Sequence, residues 1–183
     1  MLSSEKIKVT LKEMMKTLPL SEINVTELCR RCGLHRQTFY YHYQDIYDLL
    51  DTIFLTEELK KLDKATDAKS AIQGLLDYVK HNFDFIIACY NSAARDLTED
   101  FLFGKLNSKL FLLWNQPDSE VGLKRSQALK AARRVANFSA MEFGYCFRDP
   151  KINLEKFVRK INPIITSIVK HIIPAIIDMC RDE

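Results

Sequence analysis

The stretch Asn24-Val25-Thr26-Glu27-Leu28-Cys29-Arg30-Arg31-Cys32-Gly33-Leu34-His35-Arg36-Gln37-Thr38-Phe39-Tyr40-Tyr41-His42-Tyr43 decides how this chain is read. Asn24 followed three residues later by Glu27 has the form of a capping box, so a short helix is expected from Val25 to about Cys32. Gly33 should stop it in a left-handed turn. From His35 to Tyr43 there is no breaker, and a further short helix can form. Two short helices joined by a turn containing Gly read as helix-turn-helix. Phe39 and Tyr43, four apart, share one helical face and should pack inward.

Working outward, the pattern stays helical. Ile7, Leu11, Met14, Met15 and Leu18 recur at helical spacing between lysines and acids, and Pro19 ends that segment. Beyond the turn motif, residues 45–61 place Ile46, Leu49, Leu50, Ile53 and Phe54 on one face. A break is expected at Ala65 to Ala68, with Asp67 as cap. A long stripe from Ala71 to Ile86 follows, then an apolar helix around Phe101 to Trp114. Asn115 to Ser119 is the clearest loop. A helix over Ser126–Phe147 and a last one over Asn153–Met179, kinked or broken at Pro163 and Pro174, complete the chain. No stretch alternates with period two long enough for a strand, and there is no internal repeat. The expected class is all-α.

Composition narrows the function. The chain has 183 residues, with 27 Lys+Arg against 24 Asp+Glu and a formal charge of +3, and it is 47% apolar. That excludes global disorder, and it excludes a polybasic protein that holds DNA by bulk charge alone. The N-terminus has no apolar core of a signal peptide. The most apolar stretch, Ile161 to Ile177, contains Asn162, Pro163, Lys170, His171 and Pro174. It reads as an interface helix rather than a membrane span, and the chain as cytoplasmic with no membrane partner. Five scattered cysteines do not make a disulfide framework. Cys29 and Cys32 lie one turn apart on a helix, where small core residues fit better than a zinc site lacking a second pair of ligands. No Gly-rich phosphate loop, nucleophile elbow or His-Glu-x-x-His motif is present, so the reading is a non-enzyme with no cofactor and no metal.

What remains is recognition. Residues 28–44 hold Arg30, Arg31 and Arg36 and no acid, although residues 1–55 as a whole are balanced at seven bases and seven acids. A helix presented to the major groove needs phosphate donors, a few side chains reaching base edges, and an apolar side holding it to its scaffold. Arg36 can fork onto guanine and Gln37 can pair with adenine. Thr38, Tyr40, Tyr41 and His42 can reach phosphates. The plainer reading of the same residues is a solvated polar face on a small helical subdomain. A second acid-free basic cluster, Lys124, Arg125, Lys130, Arg133 and Arg134, reads as a solvated helix face, an anion site or a surface for an acidic partner.

The segments Asn24-Val25-Thr26-Glu27-Leu28-Cys29, Cys32-Gly33-Leu34, Thr38 to Tyr43 and Asp48-Leu49-Leu50 resemble the DNA-binding domain of the TetR family over about residues 5–53. The resemblance implies an N-terminal three-helix helix-turn-helix domain, here residues 1–45. A helical effector-binding and dimerisation domain would follow, here residues 46–183. It implies DNA contacts at Thr26, Arg36, Gln37, Thr38, Tyr40, Tyr41 and His42, a homodimer, and a roughly palindromic double-stranded operator. Two positions depart from the family pattern. Ile46, beside Asp45, stands where a phosphate-contacting Lys is common, and His35 stands where a Ser often caps the third helix. Residues 36–42 and 45–50 further resemble the branch that includes activators of dihydroxyacetone kinase operons. That leaves two expected forms of control: a small effector in an apolar cavity near Phe83, Phe111 and Phe143, or a protein co-regulator sensed by the C-terminal domain.

Overall fold

A computed structural model describes residues 2–119 and 121–182, and among them every regular element is helical. Eleven α-helices follow in order: α1 Ser3–Met15, α2 Val25–Cys32, α3 Arg36–His42, α4 Ile46–Thr56, α5 Lys60–Asp63, α6 Ala68–His81, α7 Phe83–Tyr90, α8 Arg95–Trp114, α9 Arg125–Phe147, α10 Leu154–Ser167 and α11 Ile173–Arg181. A 3-10 turn, Leu20–Glu22, precedes α2, and a π turn, Ile168–Ile172, joins α10 to α11.

Local sequence accounts for most boundaries. Asn24 Oδ1 accepts from the Glu27 amide at 3.0 Å and starts α2. The Asp67 carboxylate accepts from the Ser70 amide at 2.7 Å near the start of α6, and Asn153 Oδ1 accepts from the Lys156 amide at 2.9 Å to start α10. Two expected helices are each split. The segment expected over 45–61 stops at Thr56, because Glu57 leaves helical geometry at φ −68°, ψ 124°. The stripe from Ala71 to Ile86 is divided at Asn82, with φ −114°, ψ 28°. Neither break carries a Gly or Pro, so periodicity alone runs through both. Pro163 does not break α10; it lies on the exposed side, where the carbonyl it leaves without a donor faces water. The π turn lies just before Pro174, where the ring would otherwise crowd the preceding turn.

By backbone contacts the chain forms two compact units. One unit comprises residues 1–57 and 82–98, the other 58–81 and 99–183. In the first, Ile7, Leu11 and Met14 of α1, Leu28 and Cys29 of α2, Phe39 of α3 and Leu49, Leu50 and Ile53 of α4 are buried together with Phe85, Ile86 and Cys89 of α7. Lys12 ties the periphery of this unit. Its Nζ lies 2.6 Å from the Glu57 carboxylate and 5.2 Å from the centre of the Phe85 ring.

In the second unit, α9 buries Ala128, Ala131, Ala132, Val135, Ala136 and Ser139, and α10 and α11 pack against it. Phe143, Phe147 and Phe157 form a ring cluster with centroids 5.4 to 6.2 Å apart. The stretch Leu154–Arg181 is long and apolar enough to cross a membrane by length and composition alone. Ile161, Ile165, Ile168, Ile173 and Ile177 are buried within the chain, whereas Ile164, Val169, Ile172 and Ile176 are only half-buried.

Helix α6 approaches α5 closely at Gly74. A methyl group there would meet the Leu62 amide nitrogen at 2.5 Å and the Leu62 Cα at 2.7 Å, so backbone, not a yielding side chain, fills the space. Gly74→Ala should therefore destabilise, by about 1–3 kcal/mol as an overpacking change. Thermal unfolding should show a fall of roughly 2–12 °C for a chain of this length. An unchanged midpoint would mean that α5 can move away from α6 freely.

Candidate nucleic-acid interface

The turn that sets the angle between α2 and α3 is fixed by Gly33, at φ 63°, ψ 38°. Its amide donates to the Arg30 carbonyl at 3.2 Å, and the Leu34 amide reaches the Cys29 carbonyl at 3.0 Å. This pair of bonds is the Schellman arrangement, which needs a residue comfortable at positive φ. After the turn, α3 is anchored by Phe39, which is fully buried, and by Tyr43, nearly so, with their rings 5.6 Å apart. Burial pushes the Tyr43 phenol up, helped by the carboxylates of Glu5 and Asp48.

At about 100° per residue, Gln37 and Tyr41 lie roughly opposite Phe39 on the helix, with Tyr40 beside Gln37 and Arg36 between Tyr40 and Phe39. Tyr41 is 85% exposed and Tyr40 58%. Arg36, Gln37 and His42 are exposed as well, Thr38 is half-buried, and Thr26 stands exposed on the first turn of α2. Tyr40 rests edge-on against Phe39 at 5.5 Å, and Tyr41 meets His42 edge-on at 5.0 Å. These neighbouring rings restrict the rotamers of the exposed tyrosines. The first unit thus brings all seven expected DNA-contact residues onto two adjoining helices. The His35 side chain makes no capping bond at the start of α3.

Two features escaped the sequence reading. First, only half of the expected capping box forms. Glu27 does not reach back to Asn24; its carboxylate takes bonds from Arg30 Nε and an Arg30 terminal nitrogen, and from Arg31 Nε, all at 2.8 Å. Two of the three arginines in the acid-free run are thereby neutralised in part by a residue just outside it. The i,i+3 and i,i+4 spacing was the available signal. Second, the start of α4 is acidic and closed. Asp45 accepts from the Tyr47 and Asp48 amides at 2.8 and 2.9 Å, and Asp48 accepts from the Gln44 amide at 2.8 Å. Arg36 is left as the cation of α3 with no carboxylate partner among the described residues.

The three phenylalanines expected near a cavity do not share an environment. Phe83 is buried in the first unit. In the second, Phe111 is half-buried with the Arg125 guanidinium 5.7 Å from its ring centre, and Phe143 is buried in the Phe147–Phe157 cluster. Two concavities are lined by other residues. One of these, about 550 Å³, is a polar groove of the second unit with Lys61, Asp77, Lys80, Asn162 and Thr166 in its walls. The other, about 510 Å³, lies in the first unit between Pro19–Ser21, Tyr47 and Ile87–Ala93. All five cysteines are buried thiols. Burial raises Cys29, with Cys32 adding to it, and pushes Cys89 up to about 12. Among the described residues, no group of three or more His, Cys, Asp or Glu side chains could hold a metal ion.

This arrangement, a helix-turn-helix at the N-terminus of an otherwise all-helical chain, defines a TetR-like fold. Neither a protein-family model nor a curated protein sequence matches the chain. Solved structures do. The dihydroxyacetone kinase operon activator DhaS superposes with a TM-score of 0.66 at 17% identity, over 92% of this chain and 97% of DhaS. NalD, the secondary repressor of the MexAB-OprM multidrug efflux pump in Pseudomonas aeruginosa, superposes with a TM-score of 0.56 at 14% identity, over 90% of this chain and 94% of NalD. A second structure, of native NalD, gives 0.55 at 16% identity. At these identities the likeness is one of fold.

The Glu27 cluster gives a direct check on the geometry. Hydrogen bonds from Arg30 and then Arg31 hold the Glu27 carboxyl down at about 2, against an ordinary value of 4.5. A depressed carboxyl stabilises the fold above its unfolded value, and that contribution disappears as the pH falls from about 4.5 through 2. A carboxyl-detected NMR titration should therefore show Glu27 still ionised at about pH 3. A midpoint near the ordinary value would mean that the two arginines are disengaged and turned to solvent.

Proposed function

We propose that the chain is a sequence-specific DNA-binding transcriptional regulator, acting in the cytoplasm as a two-fold dimer on a roughly palindromic operator. Residues 1–45 are the reading domain and residues 46–183 the regulatory and dimerisation domain. The observation that carries this reading is α3, where Arg36, Gln37, Tyr40 and Tyr41 are held outward over a buried Phe39. A merely solvated helix has no need of two exposed tyrosines beside an exposed Arg and a Gln. Thr26 supplies a phosphate contact from α2, and Thr38 and His42 flank the base-reading positions. The fold is shared with an operon activator and a repressor, so it is compatible with either direction of control.

Dimerisation is supported by apolar surface left over on the last helices. Met141 and Tyr145 of α9 are 72% and 73% exposed. Ile164, Val169, Ile172 and Ile176 are only half-covered. Such surface marks an interaction site. Control runs through the second domain and needs only a ligand with different affinity for the DNA-bound and unbound states. The ligand is a small effector or a protein partner. The packed ring cluster around Phe143 and the exposed Leu129 on α9 favour the protein partner.

Footprinting on the adjoining promoter should reveal one protected, roughly symmetric site. Arg36→Ala should relax base preference at one position in each half-site, with a loss of about 1–3 kcal/mol for the preferred base. An equal loss on every sequence would make Arg36 a phosphate contact, and the absence of any preferred site would overturn the regulator reading. Because Glu27 holds Arg30 and Arg31, the salt dependence of binding should be shallow for each head. In sedimentation, Tyr145→Glu should shift the protein to a monomer and weaken operator binding; a variant that remains dimeric would place the interface elsewhere.

A further inference from the structure

The excess positive charge of this protein belongs to the second compact unit, not to the one that holds α3. Residues 124–170 hold eleven Lys and Arg against three Asp and Glu, so the remainder of a chain with net charge +3 is acidic overall. Within that segment the first half of α9 has a distinct edge. Arg125, Leu129 and Arg133 follow one another at i, i+4 and i+8, spread over only about 80° of the helix. All three are exposed, Leu129 by 52%. Arg125 lies over the Phe111 ring, and neither it nor Arg133 has a carboxylate within ion-pair distance among the described residues.

This edge is separate from the surface assigned above to dimerisation. Met141 and Tyr145 are 12 and 16 residues beyond Leu129. At 100° and 1.5 Å per residue they are turned by roughly 120–160° and displaced by about 18–24 Å along α9. From these observations we infer that the Arg125–Leu129–Arg133 edge docks an acidic amphipathic helix of another protein, with an apolar side chain of the partner on Leu129 and a carboxylate one turn to either side. The inference rests on the protein-partner form of control and names the chemistry of that partner. Two guanidiniums one turn either side of a leucine match paired carboxylates, each of which can take two parallel bonds from Arg. A nucleic-acid backbone would cover the arginines and leave Leu129 without an apolar partner. A second copy docked symmetrically would set like charges against each other.

The test uses the full chain and a capped synthetic peptide helix with one Leu flanked by Glu one turn away on each side. Its binding is followed by amide NMR shifts and fluorescence anisotropy. The peptide should perturb the amides of residues 125–133, and its affinity should fall about tenfold or more in Leu129→Ser and in Arg133→Glu. Met141→Ser should leave it unchanged, and thermal midpoints should show that every variant is folded. Equal binding of the same peptide with Gln in place of Glu overturns the inference. So does the same amide pattern with inorganic phosphate or with a non-operator duplex, or self-association through these residues that the peptide does not relieve. Operator gel shifts run in parallel separate the two claims. Loss of operator recognition with peptide binding intact removes the regulator reading alone, and the reverse result removes the docking surface alone.

Discussion

A seven-residue helix has no stability of its own in water, because nucleation costs more than so few backbone bonds return. The reading surface of this protein therefore exists only while α3 is docked. Phe39 supplies the docking, with no exposed surface left on its ring, and Tyr43 supports it from the next turn. The Gly33 turn decides which face goes inward, since it is the left-handed residue that brings α3 back across α2. Replacing the glycine by a residue with a Cβ would strain the turn, and losing the phenyl ring would release the helix. In either case Arg36, Gln37, Tyr40 and Tyr41 would keep their chemistry but lose their common direction.

The parts of this arrangement that were legible in the sequence are the local ones. Asn24 as cap, Gly33 as stop and Phe39 as inward residue depend on neighbours within four positions, and periodicity and turn chemistry report at that range. The divisions at Glu57 and Asn82 were not legible, because neither carries a Gly or Pro and the apolar periodicity runs through both. The Glu27 cluster stood at an ordinary i,i+3 and i,i+4 spacing, but a capping-box reading assigned the same carboxylate to a different partner. Phe83, Phe111 and Phe143 were grouped by residue type. Whether rings meet across a bundle is a tertiary matter, and here one is in the first compact unit and two are in different surroundings in the second.

Charge is distributed against the simplest expectation for a nucleic-acid ligand. The head is balanced, Glu27 restrains two of its arginines, and the start of α4 is occupied by two aspartates that cap the helix themselves. For the proposed regulator, a head of this kind implies less affinity from counterion release and more from base contacts and from being presented twice. The basic excess of residues 124–170 belongs to the second unit.

The π turn before Pro174 has a consequence for how the last helix can vary. The buried positions Phe157, Ile161, Ile165 and Ile168 step by four, four and three, and Ile173, Ile177 and Cys180 resume at four and three, but the step between the two groups is five. In an unbroken α-helix that long step would rotate the second group by roughly 140° away from the first. The wider turn absorbs one residue and brings the stripe back into phase. The helix therefore carries what amounts to a one-residue insertion, confined to a single turn. Its two ends keep the same buried face, and length changes at this point in the chain are of a kind the packing has already accommodated once.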